Sequence, residues 1–278
     1  TFQGLTYSMN YINHNDAYRI SKVLTESGNI YGLNSSSTDS HLMKNSEWGA
    51  VAYLSQSKYG LDETNIIINN VTLENSTKSV YAVTGCAGLT SDSNEVTTTM
   101  GALNNRTQSG VYVWTQKNGT GASSTGTIYG IYDLSGGTWE RVASIINNGN
   151  SELTTYGNQI VADLNNGGST RYIKVYSYDS SKDNTAISTT WENIGVAGTA
   201  NYNKNTMIYG DAIRETSTKG LGQTGWYSDY SVFAGLNFPF LVLGGGYAHN
   251  SMSGLFFFCR DFGHSYYSGG FRSVLVSL

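Results

Sequence analysis

Tyr129-Gly130-Ile131-Tyr132-Asp133-Leu134-Ser135-Gly136-Gly137-Thr138-Trp139-Glu140 is the stretch on which the reading of this chain turns. An apolar and aromatic run leads into a Ser-Gly-Gly turn, and Trp-Glu then opens a strand-like piece, Trp139 to Ala143. Asp133 and Glu140 flank the turn. Acids beside glycine turns accept backbone hydrogen bonds far more often than they form a catalytic carboxylate pair, and these two are read in that way.

Other strand-like pieces, separated by Gly, Asn and Ser clusters, are Ile66 to Ile68, Val80 to Val83, Val111 to Trp114, Arg171 to Tyr178, Leu255 to Phe258 and Phe271 to Val276. Two helices precede most of them. From Asn15 to Ser27, residues Ala17, Ile20, Val23 and Leu24 share a helical face, with Asn15 or Asp16 as N-cap and Gly28 as stop. From Asn45 to Ser57 the stripe is Trp48, Val51, Ala52 and Tyr53 or Leu54, ended by Gly60. No linker-like composition shift divides the chain, so residues 1–278 are read as one α+β domain, a loop-rich antiparallel β core with two N-terminal helices. Long ordered loops are usually functional or packed by their own side chains.

With 16 Lys plus Arg against 20 Asp plus Glu the net charge is −4, and no basic block supplies the phosphate-neutralising stripe of a nucleic-acid binder. Nucleic acid is therefore not an expected partner. The longest apolar run, Phe233 to Tyr247, is interrupted by Asn237, Pro239 and glycines, so no membrane span is expected. Beginning at Thr1 without Met, the chain reads as a processed product or a piece whose upstream targeting segment is missing. Scarce charge with abundant Asn, Ser, Thr and Tyr is the composition of many secreted or particle-surface domains.

Chemical motifs are few. Gly220-Leu221-Gly222-Gln223-Thr224-Gly225 has GxGxxG spacing, but it follows the polar run Arg214 to Lys219 and no helix starts after it, which makes it a turn. His14, His41, His249 and His264 lack metal-ligand spacing, and a site built from Cys259, His249, Asp261 and His264 is not favoured. Cys86 and Cys259 are too few and too far apart for a disulfide scaffold. No catalytic group, metal or cofactor is expected.

The Tyr129 to Glu140 block resembles the YGLYDMSGNVWEW signature of the formylglycine-generating enzyme (sulfatase-modifying factor) family, a branch of the C-type lectin fold. Leu243-Gly244-Gly245-Gly246-Tyr247 is similar to that family's RGGSW/Y element, and Gly270-Phe271-Arg272-Ser273-Val274-Leu275 to its terminal GFRVV. Leu243 stands where the pattern has Arg, and Gly137 where it has Asn. Glu47 to Leu54 looks like the family's tryptophan-led helix. The resemblance implies a C-type-lectin-like fold of the formylglycine-generating type. It does not carry the oxidase chemistry, which needs two cysteines just after the RGG element, where this chain offers only Cys259 nearby. Nor does it carry calcium-dependent sugar binding, since the EPN, QPD and WND motifs are missing.

A subgroup on the same scaffold is closer: the variable proteins of diversity-generating retroelements, in which adenines of the last codons are mutated. Asn codons altered only at adenines reach Tyr, His, Asp, Ser, Cys, Arg, Phe, Leu, Gly and Ala but never Lys, Glu, Gln or Trp. Residues 241–270 contain none of those four, although 9 Lys, 9 Glu and 6 Gln stand elsewhere, which makes this segment the candidate variable region. Five of the nine phenylalanines lie near the carboxyl end with Tyr247, Tyr266 and Tyr267, a paratope-like composition. Phe256, Phe258 and Phe271 are read as core. Tyr247, His249, Asn250, Phe257, Arg260, Asp261, Phe262, His264, Tyr266 and Tyr267 are the expected exposed contact set, with Phe262 and Tyr266 removable at no cost to folding. Arg272 is read as a buried cation anchoring turn carbonyls. The expected function is non-enzymatic binding of an unknown protein or cell-surface ligand. Similar sequences belong to gut bacteria and their phages, some behind a pilin-like helix, so the resemblance implies extracellular display on a bacterial cell or phage particle. The alternatives are a structural pilus or tail subunit and a divergent formylglycine-generating oxidase.

Overall fold

Trp-Glu-Arg-Val-Ala-Ser-Ile-Ile, residues 139–146, shows no strict alternation of apolar and polar side chains, and in the structure it is a strand buried on both faces. The computed structural model describes residues 9–60, 71–72, 79–80, 120, 123–134, 138–167, 171–182, 199–227, 229–246, 254–266 and 268–278. In chain order the elements are α1 (His14–Lys22), β1 (Thr38–Leu42), α2 (Asn45–Ser55), β2 (Val71–Thr72), β3 (Ser79–Val80), β4 (Trp139–Ile146), α3 (Ser151–Tyr156), α4 (Asn158–Asn165), β5 (Lys174–Tyr176), α5 (Thr199–Asn205), α6 (Ala212–Glu215), β6 (Phe240–Leu243), β7 (Phe258–Asp261), β8 (Gly269–Phe271) and β9 (Ser273–Ser277).

The described residues form an α+β structure whose main sheet runs β5-β4-β6-β7, with β8 also on β4. β4 takes β6 antiparallel on one edge. On the other it takes β8 parallel along its first half and β5 parallel along its second. The expected antiparallel core is thus corrected to a mixed sheet, the parallel β4–β5 pair being joined through α3 and α4 as such pairs require. β1 and β9 form a separate antiparallel ribbon. Glu140 is opposite Leu243 in β6 and opposite Gly270 in β8, so the Trp-Glu, Gly-Gly-Gly and Gly-Phe-Arg segments meet at one level of the sheet.

Alternate side chains of β4 serve two cores. Val142 and Ile146 pack with Trp48 and Ala52 of α2, Leu241, Leu243, Phe256 and Phe258. Ala143 and Ile145 pack with Ala17 and Tyr18 of α1, Ile160 of α4 and Phe240. The Trp48 indole N–H donates to the Leu255 carbonyl at 2.8 Å. Gly244, at φ +80°, lies so close that a side chain would meet the Leu134 carbonyl at 2.9 Å and the Trp48 ring at 3.3 Å.

Both early helices exist with shifted limits. α1 starts two or three residues sooner than expected, because Asn13 and not Asn15 or Asp16 is the cap: its side chain accepts the Asp16 N–H at 2.8 Å. It gives way at Val23 to a 3-10 turn that buries Leu24. Its buried stripe is His14, Ala17, Tyr18 and Ser21, with the polar His14 and Ser21 at its ends, which is why apolar spacing misplaced it. In α2 Trp48 and Ala52 are buried as read and Val51 is partly so, while Tyr53 and Leu54 face solvent. The Leu255 to Phe258 piece moves to β7, the Phe271 to Val276 piece divides at Arg272 into β8 and β9, and Arg171 to Tyr178 shortens to β5. The pieces at 66–68, 81–83 and 111–114 lie outside the described residues. Among the described residues no helix is long and apolar enough to cross a membrane.

Gly49 stands in the middle of α2, where Ala normally stabilises by about 1 kcal/mol. Here an added Cβ would come within 2.6 Å of the backbone at Asp211 and Ala212. Gly49→Ala is therefore expected to lower the melting temperature, and an increase would show that α6 does not press on α2 as seen.

Candidate ligand-binding site

The site rests on Arg141, a fully buried side chain projecting from β4. Its Nη1 donates to Asp261 Oδ1 at 2.9 Å, its Nε to the Ile12 carbonyl at 2.8 Å and its Nη2 to the His264 carbonyl. His14 Nδ1 lies 3.1 Å from Nη1, while its Nε2 meets the Val142 carbonyl at 2.8 Å. Burial, and then the Arg141 charge, lower the His14 pKa to about 3, so the ring is neutral. With Nε2 protonated, Nδ1 is free to accept from the guanidinium.

Asp261 fixes the turn that follows it. Oδ1 also accepts the Gly263 N–H at 2.6 Å, and Oδ2 accepts the Tyr266 hydroxyl at 3.0 Å. Burial alone would raise this carboxyl, but Arg141 and the Gly263 amide hold it below the usual carboxylate range. The Arg141 guanidinium also lies 4.9 Å from the centre of the Tyr266 ring. Gly263, at φ +98°, supplies the reversal. Residues 262–266 are thereby tied to the sheet by side chains, although they form no strand.

What the turn presents is a ribbon of rings. Phe238 and Phe262 are 4.1 Å apart, Phe262 and His264 5.8 Å, His264 and Tyr266 5.5 Å, and Tyr266 and Trp139 5.5 Å edge to face. Tyr156 of α3 flanks His264 at 6.2 Å. His264 is exposed, and Phe262 and Tyr266 are half-buried.

Three of the expected contact residues are not on the surface. Phe257, Arg260 and Asp261 are buried, because β7 lies inside the structure: β6 covers one edge, and residues 230–232 cover the other through the Val232 N–H to the Phe258 carbonyl and the Phe258 N–H to the Tyr230 carbonyl. Phe257 packs with Val232, Val242 and Cys259, and Arg260 stacks on Phe238 at 4.3 Å. Tyr266 is likewise not removable without cost, being fastened to Asp261. Tyr247, His249, Asn250 and Tyr267 lie outside the described residues. Phe256 and Phe258 are core as read, and Phe271 is partly so.

Other expectations resolve similarly. Glu140 does not cap a turn; it forms a two-pronged ion pair with Arg272, Nε to Oε2 at 2.9 Å and Nη2 to Oε1 at 2.5 Å. Arg272, half-buried, reaches the Asp133 carbonyl at 3.5 Å, so the turn-anchoring reading holds only alongside that pair. The GxGxxG segment is a turn whose Gly220 carbonyl accepts the Phe233 N–H at 3.1 Å, and whose Gly220 Cα is pressed on the Tyr202 ring. Cys259 is fully buried and unbonded, and burial pushes its thiol to about 12; Cys86 lies outside the described residues. Among the described residues no three His, Cys, Asp or Glu side chains gather as a metal ligand set. Arg141, His14, Trp139, Tyr156 and Phe238 belong to the site and were not read as such. Neither protein-family models nor curated proteins give a match to this chain.

Two measurements follow from this geometry. Arg141→Met leaves Asp261 buried without its cation and is expected to cost about 3–5 kcal/mol in denaturant unfolding; a cost under about 1 kcal/mol would show that the pair fastens nothing. Asp229, fully buried beneath Gly254, accepts the Phe256 N–H at 3.1 Å, and burial raises its carboxyl to about 7. A raised carboxyl contributes stability below the unfolded value of about 4 and loses it as pH climbs through about 7. Asp229→Asn is expected to remove that decline, and identical pH profiles for the two proteins would contradict it.

Proposed function

We propose that this chain is a non-enzymatic ligand-binding protein of C-type-lectin-like fold, a variable protein of a diversity-generating retroelement, displayed outside a bacterial cell or on a phage particle. The observation that carries the reading is the side-chain-fastened turn 262–266, which holds Phe262, His264 and Tyr266 in one ribbon within the segment that lacks Lys, Glu, Gln and Trp. Rings fixed before contact bring area at little entropic cost. The meeting of the Trp-Glu, Gly-Gly-Gly and Gly-Phe-Arg segments around Glu140 supports the scaffold reading. The burial and raised pKa of Cys259 speak against an oxidase, which needs an accessible thiolate.

The test uses fluorescently labelled protein on a panel of whole gut-bacterial cells, read by flow cytometry. Wild type is expected to bind at least one strain, and His264→Ala to bind it about tenfold or more weakly with an unchanged melting temperature. Equal binding by His264→Ala and Phe262→Leu would overturn the ribbon as the contact surface. The gene is expected to lie beside a reverse transcriptase and an imperfect copy of its own 3′ end differing at adenines.

A further inference from the structure

Strand β9, Ser273-Val274-Leu275-Val276-Ser277, reads the same in both directions. One of its edges is taken by β1 in the register Thr38 opposite Ser277 to Leu42 opposite Ser273. Just beyond the two ends of that register, the Met43 N–H donates to the Arg272 carbonyl at 3.1 Å and the Leu278 N–H to the Ser37 carbonyl at 2.9 Å. Antiparallel pairs alternate between bonded and non-bonded positions. Val274 and Val276 therefore turn their backbone groups toward β1, and Ser273, Leu275 and Ser277 turn theirs to the opposite edge. Among the described residues no strand pairs with that edge, and Leu275, Val276 and Ser277 are exposed.

Open edges are ordinarily blunted by lysine, proline or a bulge, and β9 has none of the three. The groups it presents suit another extended strand. Self-complementarity selects a second copy of β9 as that strand. About a two-fold axis at Leu275, Leu275 falls opposite the partner's Leu275, Val274 opposite the partner's Val276, and Ser273 opposite the partner's Ser277. The parity agrees, because the three residues whose backbone groups face outward are the ones that meet in bonded positions, for about six hydrogen bonds in all. The valines then meet at the closer, non-bonded positions, where β-branched pairs are favourable.

Charge is matched as well. Across a two-fold axis a strand meets its own charges, and β9 carries none. Arg272, next to it, is neutralised by its two-pronged pair with Glu140. Assembly stops at two copies, since Asp39 to Leu42 of β1 are buried and the ribbon offers no second edge. Five residues a side is far short of the roughly 20–30 a side of a stable interface, which sets the pairing as weak.

We propose that two copies of this chain pair antiparallel through β9, about a two-fold axis at Leu275, forming a four-stranded sheet in the order β1-β9-β9-β1. The pairing is independent of what the 262–266 turn contacts.

Sedimentation velocity on the intact chain under reducing conditions, from about 1 to about 500 µM, tests it. A monomer–dimer equilibrium with a Kd on the order of 100 µM is expected. Leu275→Lys and Leu275→Glu each place like charges face to face on the axis, and each is expected to stay monomeric throughout. Their equimolar mixture is expected to dimerise again, since lysine then meets glutamate. Leu275→Pro, which removes one outward N–H while β1 keeps its own bonds, is also expected to be monomeric. At about 1 µM, where wild type is itself monomeric, the Lys and Glu variants should melt within about 2 °C of it. Wild type that remains monomeric at 500 µM would overturn the pairing and leave the edge to a different strand. A dimer that survives Leu275→Lys would place the contact on another face, and no recovery in the mixture would overturn the axis at Leu275. Species larger than a dimer would overturn closure at two copies.

Discussion

A buried guanidinium needs partners, and each of the three nitrogens of Arg141 has at least one among Asp261, His14 and the carbonyls of Ile12 and His264. These partners come from the chain ahead of and inside α1, from the end of β7 and from the turn beyond it. One side chain on the central strand therefore decides where two distant stretches of backbone lie. Such a pair adds little net stability over an apolar replacement, since desolvation offsets attraction, but removing one partner strands the other. Its consequence is positional: the path of residues 262–266 is set by Asp261 and Tyr266, leaving Phe262 and His264 to point elsewhere.

That division between holding and presenting side chains runs along consecutive residues. Arg260 and Asp261 are buried and engaged, Phe262 is half-buried, Gly263 is buried at positive φ, and His264 is exposed. A segment can then change its outward groups while Asp261 and Gly263 keep the backbone where it is. Gly244 performs a related task beside Trp48, where the backbone passes too close for any side chain. On the function proposed above, the outward residues would be the ones to vary while the inward ones stay.

Parts of this were legible in the residues. Trp139 to Ala143 reads as a strand because β-branched and aromatic side chains follow a glycine turn, and Trp48 with Ala52 reads as the inner face of a helix. Other parts were opaque for physical reasons. Arg141 looks like a surface residue in any sequence, since arginine is rarely buried and nothing local announces four acceptors from afar. α1 buries the polar His14 and Ser21, so polarity concealed the ends of its face. The short helices α3 to α6 hold one or two turns each and carry little periodicity. Phe257, Arg260 and Asp261 were misplaced because charges beside rings suit a recognition surface and a buried ion pair equally well until the third dimension separates them.

The most direct check on the fastening of the 262–266 turn is amide hydrogen exchange at Gly263, whose N–H donates to Asp261 Oδ1. Protection comparable to that of the β7 amides, lost when Asp261 is replaced by Ala while β4 stays protected, is the result expected of a turn held by Arg141 and Asp261. Exchange at Gly263 as fast as in an unstructured peptide would contradict it.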